Sequence, residues 1–125
     1  GLRTSADTGA TFTGAGSSGY EWAYNARHPG GDGSSGGSSS DEMRSPPIGG
    51  ASLERFSCDY IILNPSDTTC YTQVMFKGSA VTTSNNTYHW SGGGMRKSVA
   101  LVDGLRIRPS TGTITTGTFK LYGIL

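Results

Sequence analysis

Nowhere in this chain do apolar residues recur at i, i+3, i+4 and i+7, the spacing that lets a helix bury one face; they fall instead in short alternating runs cut by Gly, Ser, Asn and Pro. A chain written this way has strands to build with and little else. Gly, Ser and Thr supply 52 of the 125 residues, so the strong helix formers are scarce as well. Disorder is disfavoured too, because only 15% of residues are charged and 10% are aromatic, the reverse of the disordered signature. The length suits one small β domain spanning residues 1–125.

The runs predict strands near residues 2–5, 20–25, 53–63, 70–77, 87–90, 99–108 and 118–124. Alternation places Tyr20, Trp22 and Tyr24 on one face, Phe56, Cys58, Tyr60 and Ile62 on another, and Phe119 with Leu121 on a third. In the run ending at Arg108, Leu105 and Ile107 are expected inward and Arg106 and Arg108 outward. Most gaps are too short for a parallel crossover, so the expected architecture is all-β, an antiparallel β-sandwich.

Residues 28–50, HPGGDGSSGGSSSDEMRSPPIGG, hold seven Gly, six Ser and three Pro and have little apolar area to offset their ordering entropy. They read as a Gly/Ser-rich loop, with 30–40 mobile or held by a neighbouring subunit and Met43–Ile48 anchored to the domain. Asn64-Pro65-Ser66-Asp67 supplies turn chemistry. With Pro65-Ser66 at the turn centre, Cys58 lies opposite Gln73, too far from Cys70 for a disulfide; a loop of Leu63-Asn64-Pro65 would set the two thiols opposite each other. The first register, with free thiols, suits Pro65 better.

Chemistry is sparse. His28 precedes Pro29 in the Gly/Ser stretch, His89 sits beside Trp90, and G-x-S-x-G is absent, so no nucleophilic triad is expected. Asp32, Asp41, Glu42, Asp59, Asp67 and Asp103 are mostly isolated, the calcium-loop pattern does not occur, and neither cysteine belongs to a C-x-x-C hook. The glycine-rich stretches PGGDGSSGG and SGGGMRK do not end in Gly-Lys-Ser or Gly-Lys-Thr, as a phosphate loop must. We therefore expect no catalytic, cofactor or metal residues. A formal charge of +1 with scattered basic residues argues against nucleic acid as a partner. No run of about 20 apolar residues suits a membrane span, and the first residues lack the layout of a signal peptide, so the chain reads as soluble.

The run ALVDGLRIRPSTGTITTGTFKLYGIL, Ala100 to Leu125, resembles the closing segment of a family of tailed-bacteriophage virion proteins, which ends in a strand, a Ser-x-Gly turn and Gly-Thr-Phe-x-Leu-Tyr-Gly-Ile. LRTSADTGATFTGAGSSGYEWA, Leu2 to Ala23, is similar to that family's middle segment, and LNPSDTTCYTQVMFKGSA, Leu63 to Ala80, to its Asn-Pro hairpin. The resemblance implies a jelly-roll-like β-sandwich on the virion exterior, without catalytic residues, as a capsid decoration or cement protein, head fibre or tail-associated protein. Its implied partners are other virion proteins, the major capsid protein or tail and fibre subunits, with homo-oligomerisation expected. Relatives usually carry further strands before the segment matching Leu2. Those strands are expected either to be missing here or to be supplied by a neighbouring subunit through β-augmentation. The alternative function is a tail or head-fibre adhesin for host surface glycan, with Tyr20, Trp22, Tyr24, Tyr88, His89 and Trp90 as stacking candidates.

Overall fold

The computed structural model describes residues 1–7, 9, 12, 18–46, 54–81, 86–109 and 112–123. Among them are seven strands and no helix: β1 Leu2–Ser5, β2 Tyr20–His28, β3 Gly31–Ser40, β4 Arg55–Leu63, β5 Gln73–Val81, β6 Thr87–Arg96 and β7 Gly104–Ile107. Five form one sheet in the order β3-β2-β6-β5-β4, and β1 pairs with β7 in a second; every pairing is antiparallel. The all-β, antiparallel, two-sheet arrangement expected from the alternation is what the chain adopts.

Register explains which face is core. Tyr20, Trp22, Tyr24 and Ala26 of β2 lie level with Arg96, Gly94, Gly92 and Trp90 of β6, and these with Val74, Phe76 and Gly78 of β5. Residues directly opposite share a face, so the apolar positions of three strands add up to one continuous surface. Tyr20, Trp22, Ala26, Val74, Phe76, Ala80 and Trp90 are buried there with Leu2 and Met43. Glycine supplies the room for the rings. A Cβ at Gly78 would collide with the Trp90 indole and the Ser57 carbonyl, one at Gly92 with Tyr24, and one at Gly94 with Met43. The opposite face carries Glu21, Asn25, Arg27, Lys77 and His89, all exposed.

The second sheet is held at the Tyr20 end of the first. Leu2 and Met43 exchange backbone hydrogen bonds of 2.8 and 3.0 Å, which places β1 between Met43 and β7 and buries all four of its residues. Thr4 donates its N–H to Tyr20 Oη at 2.8 Å, so the buried phenol has a partner.

The stretch expected as a loop is in part a strand. Gly31–Ser40 pairs along β2 from His28↔Gly31 to Tyr20↔Ser40, forming the sheet's edge. Apolar burial was the wrong criterion here: the backbone ladder satisfies the N–H and C=O groups whatever the side chains, and small residues suit the place. Trp22 Nε1 donates to Ser40 Oγ at 2.8 Å, and the Trp22 ring lies against Gly37. Pro29-Gly30 makes the two-residue turn, followed by Gly31 at φ 136°, a conformation side-chain-bearing residues rarely adopt. Met43 is anchored as expected, whereas Ile48 lies outside the described residues.

Three further expectations need correction. Asn64–Asp67 does form the turn, with Asp67 N–H donating to the Asn64 carbonyl at 3.2 Å, but β5 resumes only at Gln73. Asp67 Oδ1 accepts from Thr69 N at 2.7 Å, Thr69 Oγ1 at 2.7 Å and Cys70 N at 3.2 Å, and this turn delays the ladder. Cys58 therefore faces Gly78, neither proposed register holds, and both thiols are free. The strand expected at 99–108 shortens to β7, because Arg96 donates to the Ala100 and Leu101 carbonyls and the backbone of Val102 bonds Pro65. Leu105 and Ile107 remain exposed at the rim of the small sheet, while Arg108 turns toward Glu42. Residues 118–123 are not in a strand, since no edge within the described chain pairs with them; Ile124, the end of that expected strand, lies outside the described residues.

Candidate functional site

The aromatic residues offered as a glycan platform mostly build the core. Tyr20 is 0% exposed, Trp22 9% and Trp90 4%, so none presents a ring face to a sugar. Tyr24 stacks on Trp22 with centroids 5.7 Å apart, and Tyr88 stacks on His28 at 5.2 Å. Burial pushes the Tyr24 hydroxyl pKa up, partly opposed by a hydrogen bond with Ser35. His89 points to the opposite, polar face. There β2, β3 and β6 form two shallow open depressions lined by Asn25, Ser34 and Ser91, with Arg27 and Asp32 bordering the second.

A charged cluster joins the two sheets. Arg3 Nη2 donates to Asp41 Oδ2 at 2.7 Å, Arg108 Nε donates to Glu42 Oε2 at 2.9 Å, and Arg44 Nε lies 3.4 Å from Glu42 Oε1. Arg3 and Glu42 are both buried. Three guanidiniums thus surround two carboxylates at the junction of β1, β7 and the segment after β3. This is a structural clamp, because each carboxylate is already occupied by arginine. Asp41 lies 38 residues from Arg3 in the sequence, and the pairing of β1 with Met43 brings the two together. Among the described residues no group of three or more His, Cys, Asp or Glu is placed to hold a metal ion.

Among the described residues, several large apolar side chains lie in water. Phe119 is 64% exposed, Leu121 84% and Tyr122 73%, and Ile114 nearby is also exposed. The same holds for one edge of the large sheet. On β4, Phe56 is 42% exposed although it stacks on Trp90 at 5.6 Å, and Cys58, Tyr60 and Ile62 beside it are only half covered. Burial pushes the Cys58 thiol pKa up and that of the Tyr60 hydroxyl further. Both groups are therefore neutral at physiological pH and suit an apolar contact. Large apolar side chains exposed together mark interaction surfaces rather than ordinary protein surface. Alternation of Phe119 and Leu121 was legible in the sequence; that both stand exposed among the described residues was not.

Comparison with protein-family models, curated proteins and solved structures finds no match.

Proposed function

We propose that this chain is a non-enzymatic structural protein of the bacteriophage virion exterior, a capsid decoration or cement protein that works by assembly. The observation that carries this reading is the exposed run Phe119–Tyr122, a largely apolar segment that one copy leaves in water and assembly would cover. It coincides with Gly-Thr-Phe-Lys-Leu-Tyr-Gly-Ile, the part of the chain that resembles the closing strand of phage virion proteins. A jelly-roll-like course for the sandwich, major capsid protein or tail and fibre subunits as partners, and a place on the outer surface of the virion belong to the same proposal. The glycan-adhesin alternative loses support from the burial of Tyr20, Trp22 and Trp90, three of its six stacking residues.

Electron cryomicroscopy of particles assembled with and without the chain tests the assignment. Additional density on the outer capsid surface is expected only when the chain is present. Density confined to fibre tips, or none at all, would overturn the decoration role.

A further inference from the structure

We infer that Thr118–Tyr122 of one copy adds as an antiparallel strand to the outer edge of β4 in a second copy, with Lys120 opposite Asp59. The inference rests on the assembly reading above and names its contact. Among the described residues three strand edges have no partner: β3, β7 and β4. The edge of β3 carries only Gly, Ser and one Asp, so Phe119 and Leu121 would cover nothing there. The edge of β7 is four residues long and would set Lys120 against Arg106 or Arg108 if Phe119 and Leu121 covered Leu105 and Ile107. Like charges directly opposite are destabilising.

β4 is nine residues long and fits on both faces. With Lys120 opposite Asp59, Phe119 faces Tyr60, Leu121 faces Cys58 and Gly123 leaves room for the Phe56 ring, all on the half-covered core face. On the other face Thr118 meets Ile61 and Tyr122 meets Ser57. Asp59 already lies across from Lys77 of β5, so the donated strand continues a row of alternating charge, Lys77–Asp59–Lys120. The antiparallel sense matches every other pair in the sheet. Phe119 and Tyr122 can each bury about 150–250 Å². A reciprocal exchange of two strands, counted with the receiving edges, therefore reaches the roughly 1,000 Å² that a specific interface needs. Pairing of backbone N–H and C=O along both edges adds the directionality of strand addition.

The full-length chain and its variants should be compared by analytical ultracentrifugation over a concentration series. Leu121→Asp is expected to abolish association without altering the circular dichroism spectrum, since Leu121 is 84% exposed in one copy. Lys120→Asp and Asp59→Lys are each expected to weaken association about tenfold, and the double reversal to return it to within about threefold. In a Cys70→Ser background, Leu121→Cys should form an intermolecular disulfide with Cys58 on mild oxidation, because directly opposite residues have the Cα spacing a disulfide requires. Loss of association in Leu121→Asp with no rescue by the double reversal and no such crosslink would overturn the β4 site while leaving the assembly reading standing. Unchanged association in Leu121→Asp would overturn the donated strand and remove the observation behind the proposed function. A wild-type chain that stays monomeric at all concentrations would overturn the second copy as occupant, and the particle experiment would still test the function.

Discussion

Gly78→Ala is the most discriminating single perturbation of the sheet, because it adds one methyl group where the structure has no space. Gly78 lies directly opposite Trp90, whose indole sits over the glycine and stacks on Phe56. The added Cβ would meet both that ring and the backbone carbonyl of Ser57 in β4. A side-chain tip can rotate away; a carbonyl held in a ladder between two strands moves only with its strand. Overpacking of this kind costs about 1–3 kcal/mol, against which the loss of glycine's unfolded-state freedom returns about 0.4–1 kcal/mol. The net cost is about 1–2 kcal/mol. For a chain of this size each kcal/mol moves the melting temperature by about 3–6 °C, so Tm should fall by about 3–12 °C. Gly33→Ala is the matched control: its Cβ would have the Tyr88 hydroxyl 3.9 Å away as its nearest neighbour, and its φ lies outside the left-handed region. There only the unfolded-state effect operates, and Tm should hold or rise. Thermal melts followed by β-sheet ellipticity and tryptophan fluorescence would compare the two variants. Equal Tm values would refute the idea that glycine makes room for the indole.

The charged clamp gives a larger effect: Glu42→Gln leaves Arg3 and Arg108 beside a neutral amide in a buried site and should cost about 3–5 kcal/mol in urea unfolding, with a loss below about 1 kcal/mol counting against the clamp. Ser40→Ala removes the acceptor for the buried Trp22 indole and should cost about 1–3 kcal/mol; no change in stability or in tryptophan emission would show that β3 is not held through that bond. In thiol titration of the native protein, exposed Cys70 should react first and Cys58 slowly, because burial raises the Cys58 pKa and lowers its thiolate fraction. Raising the pH through the ordinary thiol range should therefore leave Cys58 lagging until denaturant equalises the two, and equal native rates would contradict its burial.

The alternating runs were legible because period 2 reports directly on a face. Tyr20, Trp22 and Tyr24 share a side in the sequence and share one in the sheet. β3 was illegible for the complementary reason: a strand of Gly and Ser carries no apolar signal, and its order comes from a backbone ladder that any sequence can form. The available cue was local, His-Pro-Gly-Gly, where Pro29-Gly30 turns the chain back along β2. The β4–β5 register escaped in a similar way. Its turn residues were right, but three hydrogen bonds to Asp67 hold residues 69 and 70 out of the ladder, and those bonds depend on a side-chain orientation that residue type alone does not specify.

The candidate site was harder to see than the fold, and the reason lies in what alternation measures. A strand that buries one face in its own chain and a strand that buries it in another copy have the same sequence signature, since both need apolar residues two apart. Phe119 and Leu121 satisfy that pattern as well as Val74 and Phe76 do; the difference is exposure, which requires the rest of the chain to be in place. Charge is the part of such a contact that sequence does carry. Lys120 interrupts an apolar run, so the segment has one charged face and cannot be buried on both sides without a partner for the lysine. On a donated strand the same residue faces the outer surface, where Asp59 sits on the receiving edge. Lys77 beside Phe76 shows that a core strand can carry the same charge on its open face, so reversing Lys120 together with Asp59 is the step that tells an assembly strand from a core strand.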